Sequence, residues 1–105
     1  MNTSEHRLGT YILDGKIQIR CDDMVVWGEF LKQPARVVGK TTVGERDVST
    51  VFLGIDHQWG DGPPILFETM IFPECEYQTR CSTWEEAEEM HKRAVDFLTL
   101  EIEAP

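Results

Sequence analysis

The chain has 105 residues, 41% hydrophobic and 10% aromatic, which is enough for one folded core and excludes an intrinsically disordered polymer. Asp and Glu number 19 against 10 Lys and Arg, a formal charge of −9. That balance leaves no basic footprint for a duplex and excludes general nucleic-acid binding; it fits solubility, a basic protein partner or mimicry of a nucleic-acid surface.

Residues 1–9, "MNTSEHRLG", are polar and apolar-poor. They are expected to be a flexible N-terminus ahead of one α+β domain over 10–105. "TYILDGKIQIR" (10–20) reads as a hairpin. Asp14-Gly15 is a favoured turn pair, and Ile12, Leu13, Ile17 and Ile19 supply strand formers beside it. In "DDMVVWGEFLKQP" (22–34), Asp22 or Asp23 can cap a helix. Met24, Trp27, Phe30 and Leu31 then fall at helical spacing until Pro34 ends the run, which predicts a short helix before the third strand.

"ARVVGKTTV", "GERD" and "VSTVFLGI" (35–55) predict a second hairpin, with Gly44 and Asp47 marking its turn. Gly39, inside its strand, predicts a bulge or a close backbone approach. "ILFETMIFP" (65–73) predicts a strand that is mostly apolar on both faces. A sheet covered on one side only would alternate, so the second face is expected to lie under the 22–34 helix or a second copy of the chain. "EYQTRC" (76–81) reads as a more exposed strand near an edge. The run from Ser82 to Leu100 predicts a long C-terminal helix, with Ser82 and Glu85 as its capping box. Trp84, Ala87, His91, Ala94, Val95 and Leu98 share its apolar face. The fold expected is α+β: an antiparallel sheet of about five or six strands with that helix on one face.

Cys21, Cys75 and Cys81 are odd in number and lack zinc-binding spacing, so they are expected to be reduced thiols in a cytoplasm. No run approaches transmembrane length, and no membrane partner is expected.

Candidate chemistry concentrates in three places. His91 on the apolar helix face needs a hydrogen-bonding partner, either as a core histidine or as a site residue paired with Glu68. Glu68, flanked on its strand face by Leu66 and Met70, must be paired, protonated or turned to an opening, and Arg80 is the structural alternative partner. Asp56 and His57 could form an acid–base pair or half a metal site. The segment "DHQWGDG" (56–62) suits a rigid recognition loop better. Trp59 would be its aromatic anchor, with Asp56, His57 and Asp61 around it and Pro63-Pro64 restricting its exit.

The stretches "VSTVFLGIDHQWGDGPPILFETMIF" and "TWEEAEEMH" resemble a group of small proteins encoded in bacteriophage and prophage genomes. The resemblance spans roughly residues 22–100 and carries no established activity, so it transfers no catalytic residue. It implies a phage-encoded protein made in a bacterial host cytoplasm. The expectation is a non-enzymatic, cofactor-free accessory protein that binds and modulates a host protein, counter-defence being one such role. It would be a homo-oligomer, dimer first, with Asp56, His57, Trp59, Asp61, Glu68, Arg80 and His91 as candidate binding residues. The alternative is a small-molecule-sequestering protein, a nucleotide being one such ligand, with a pocket at a subunit interface where Arg36, Lys40, Arg46 and Arg80 would supply the cations. A small metal-dependent hydrolase using Asp56, His57, Glu68 and His91 ranks third.

Overall fold

The computed structural model describes residues 9–58, 60–73 and 77–103. The loose start expected for 1–9 therefore lies outside the described residues except for Gly9, whose carbonyl accepts from the Asp56 amide at 2.8 Å.

The first hairpin pairs β1 (Tyr11–Asp14) with β2 (Ile17–Arg20). Asp14 is the last paired residue, so the two turn positions are Gly15 and Lys16, one place later than the Asp14-Gly15 pair expected. Gly15 has φ +63, a conformation that glycine adopts without steric cost. Helix α1 (Met24–Leu31) follows directly. Of the two candidate caps it is Asp23 that acts. Its carboxylate accepts from the amides of Val25 and Val26 at 3.0 and 3.2 Å, satisfying donors that have no partner inside the helix. Pro34 ends the run as expected, and it opens a short 3-10 turn, Pro34–Arg36.

The main sheet is an antiparallel meander of β3 (Val37–Val43), β4 (Arg46–Phe52), β5 (Phe67–Phe72) and β6 (Gln78–Cys81), in that spatial order. The six strands thus form two sheets, not one. The β1–β2 hairpin joins the end of the larger sheet through the Thr10–Ile55 bridge and the Tyr11 amide on Gly54 O, with Leu13 buried in one cluster with Phe52 and Phe67 and Gln18 Nε2 donating to Ser82 O. Strand propensity marks where strands lie but not which of them share a ladder.

Helix α2 (Trp84–Glu103) packs across all four strands of the main sheet. Its capping box sits one residue later than expected. Thr83 Oγ1 accepts from the Glu86 amide at 3.2 Å, and Glu86 Oε1 accepts from the Thr83 amide at 3.1 Å. Both Ser82-Glu85 and Thr83-Glu86 satisfy the sequence pattern, and the helix that starts at Trp84 uses the second.

Alternation along the strands splits the sheet into two faces. Val48, Thr50, Phe52, Phe67, Thr69 and Ile71 are buried under α2 together with Ala87, Met90, Ala94 and Leu98. Edge-on ring contacts run Phe30–Phe52–Phe67–Trp84, with centroids 5.4 to 6.2 Å apart. Each large side chain buried there contributes about 1.5–3 kcal/mol. Phe30 places α1 on this same side, at the end of the sheet, so the expectation that α1 covers the second face is not met. Among the described residues no helix packs on that face. It presents Val37, Lys40, Asp47, Ser49, Val51, Glu68, Met70, Phe72, Gln78 and Arg80. Leu66, expected to share it, lies just ahead of β5 and is fully buried in the core.

Candidate functional site

His91 sits over β3 and β4 at the most polar part of the core. Its Nε2 is 2.8 Å from Thr41 Oγ1 and its Nδ1 is 2.8 Å from Thr50 Oγ1. Thr50 Oγ1 in turn lies 2.5 Å from Thr69 Oγ1. Either tautomer closes the chain: with the proton on Nδ1, Thr41 O–H donates to Nε2, Nδ1–H donates to Thr50 and Thr50 O–H donates to Thr69, and with the proton on Nε2 every direction reverses. Gly39 makes room for this. A Cβ at that position would lie 3.0 Å from Nε2, tighter than nearly all real contacts. The β3–β4 register also shifts between Val37 and Gly39, so the bulge and the close approach predicted for Gly39 are both present.

His91 is half-buried, less enclosed than expected. Burial lowers its pKa from the ordinary 6.5, which favours the neutral ring. It is a core histidine, and its partners are threonine hydroxyls, not the Glu68 carboxylate. The paired threonines were the missed residues. Their signal was present as Thr41, Thr50 and Thr69, one at an inward position on each of three strands.

Glu68 does not meet His91. Successive side chains on a strand point to opposite faces, so Glu68 and the buried Thr69 cannot both face α2. Glu68 lies on the uncovered face, where it accepts from Arg80 Nε at 2.9 Å and Gln78 Nε2 at 2.7 Å. The structural alternative, pairing with Arg80 on the next strand, is the arrangement found.

The 54–65 connection is tied down by Asp56. Its Oδ1 accepts from the amides of Gln58 at 2.7 Å and Ile65 at 2.9 Å. The His57 amide reaches Ile65 O at 3.0 Å, and Gln58 Nε2 reaches Pro63 O at 3.1 Å. Asp56 is therefore occupied with loop backbone and does not form the acid–base pair with His57. The side chains of His57 and Asp61 are exposed, and Trp59 lies outside the described residues. Among the described residues no three His, Cys, Asp or Glu side chains gather as a metal site would require.

The four cations considered for a nucleotide pocket are dispersed. Arg36 donates to Phe52 O at 3.3 Å, and Arg46 pairs with Glu101 at 3.3 Å. Lys40 and Arg80 stand on opposite edge strands of the main sheet, three strand spacings or about 14 Å apart. A cavity of about 410 Å³ opens between β6 and α2, with Cys81 in its wall. Burial first, and the Glu86 charge second, push the Cys81 thiol up to about 11, so it stays protonated and unreactive at neutral pH. Cys21 and Cys81 are free thiols, as expected, and Cys75 lies outside the described residues.

The surface beside the loop is less ordinary. Ile17, Ile19, Met24, Val25 and Val26 are all exposed, Val25 at 76% and Ile17 at 69%. Met24, at helical spacing with Trp27, Phe30 and Leu31, is exposed all the same. Helix α1 is held from beneath: Trp27 Nε1 donates to Gly54 O at 3.0 Å, and Leu31 packs so closely on Gly54 that a Cβ there would push its methyl aside. The inner side of α1 grips the start of the loop, and its outer side presents valines to solvent.

No family model, curated protein or solved structure matches the chain. No helix among the described residues is long and apolar enough to cross a membrane.

Proposed function

We propose that this protein is a non-enzymatic binding protein, a phage accessory factor that docks on a host macromolecule and modulates it, with counter-defence as one such role. One observation carries the reading: five large apolar side chains exposed within residues 17–26, on a hairpin and a helix anchored to the core. Soluble chains rarely leave such a run bare without a partner for it. The anchoring matters because a surface already held in its bound shape loses little entropy on association.

The exposed His57 and Asp61 stand on the loop that Asp56 fixes, whose start at Gly54 is held by Trp27 of α1. The net charge of −9 favours a basic rim on the partner, which would set encounter rate and orientation more than final affinity. The phage setting is supported by the sequence resemblance in 48–72 and 83–91. His91 is supported as a structural residue because both of its ring nitrogens are engaged by threonine hydroxyls.

The test is capture from bacterial host lysate on immobilised protein, comparing wild type with Val25→Asp. The reading expects one defined host protein, identified by mass spectrometry, to be retained by the wild type and lost by the variant at unchanged melting temperature. Equal retention by both would overturn it, as would no retained macromolecule at all.

A further inference from the structure

The uncovered face of the main sheet differs electrically from the rest of the molecule. The chain carries −9, and α2 alone has seven carboxylates against two cations. The uncovered face carries Lys40 and Arg80 against Asp47 and Glu68, which balance. Between them run Val37, Val51, Met70 and Phe72. Val37 is 42% exposed and Phe72 is 39% exposed.

We infer that this face is where two copies of the chain associate, sheet against sheet. Two strongly acidic chains repel one another on approach, and the cost is least where each presents no net charge. A basic or acidic partner would gain nothing from a balanced face. A second copy, which presents the same apolar strip and the same balanced charges, matches it in both respects. The two surface sites also remain separate: residues 17–26 stand on the hairpin and α1 at the end of the sheet, so a dimer formed through the sheet leaves them free.

The size of the face sets the strength. Four strands of seven, seven, six and four residues, at about 4.8 Å spacing and about 3.3 Å per residue, give a face of roughly 380 Å². Two such faces would bury roughly 760 Å² in all, below the size of stable protein interfaces, so the dimer is a weak and reversible one.

Sedimentation equilibrium tests this, run from about 2 to about 200 µM on wild type, Met70→Lys and Ser49→Lys. Both substitutions point out of the uncovered face and add an unbalanced charge to it. The wild type is expected to move from the monomer mass of 12.1 kDa toward twice that value across the range. Each variant is expected to weaken association at least tenfold with unchanged circular dichroism and melting temperature. Raising the salt concentration should strengthen the wild-type dimer by screening the net repulsion. A wild type that stays monomeric at 200 µM overturns the inference. So does a dimer that both variants leave intact, because association would then use another surface.

Discussion

Replacing Gly39 with alanine isolates the packing that holds His91. Strand glycines are about 0.5–1 kcal/mol worse than alanine, so with free space the change would stabilise the protein. The space is not free. The new Cβ would lie 3.0, 3.1 and 3.2 Å from three ring atoms of His91, where about 3.5–4.0 Å is optimal. The ring must retreat by about 0.5 Å, which stretches its two 2.8 Å hydrogen bonds beyond the usual 2.7–3.2 Å range. Losing most of both costs about 2 kcal/mol. The net expectation is a loss of about 1–1.5 kcal/mol, or a fall in Tm of about 5–10 °C for a chain of this size. Thermal unfolding followed by calorimetry measures it. The same substitution in a His91→Ala background should instead be neutral or stabilising. An unchanged or raised Tm in the wild-type background would refute the argument that the His91 ring is clamped between the Gly39 backbone and two threonines.

Three further outcomes are expected. Thr83→Ala should cost about 1 kcal/mol in urea unfolding while Ser82→Ala stays within about 0.5 kcal/mol, because Thr83 and not Ser82 caps α2. Asp56→Ala leaves the amides of Gln58 and Ile65 without their acceptor and should cost about 1–3 kcal/mol; hydrogen exchange at those two amides should accelerate, and unchanged exchange would contradict the role of Asp56. Burial lowers the His91 pKa below 6.5, so between its folded value and 6.5 the folded chain binds fewer protons than the unfolded one. The stability held by the neutral ring is therefore full above 6.5 and declines as pH falls through that window. An NMR titration giving His91 a pKa at or above 6.5 would contradict this.

The legible parts of the fold were those carried by local pattern. The 3.6-residue spacing from Trp84 to Leu98 located α2, and Pro34 bounded α1. The glycine inside "VVGKTT" marked both the bulge and the close approach to His91. Two adjacent positions with equal capping chemistry left the start of α2 ambiguous by one residue. The partner of Glu68 stayed open between His91 and Arg80 because apolar neighbours on both strand faces hid which face α2 covers. The burial of Val48, Thr50, Phe52, Phe67, Thr69 and Ile71 resolves that. The exposure of Met24, Val25 and Val26 was not legible either. The helix is apolar nearly all round, and only the contacts of Trp27, Phe30 and Leu31 show which side faces inward.

The account rests on a separation between a polar core that stabilises the fold and a surface at residues 17–26 that binds. The most direct test is the affinity of the captured host protein for two variants measured side by side, His91→Asn and Val25→Asp, at a temperature where both are folded. The account predicts that His91→Asn lowers Tm and leaves affinity within about twofold, while Val25→Asp leaves Tm unchanged and weakens binding at least tenfold, or about 1.4 kcal/mol. The reverse pattern, with binding lost in His91→Asn and kept in Val25→Asp, would contradict it and move the functional site to the threonine–histidine network beneath α2.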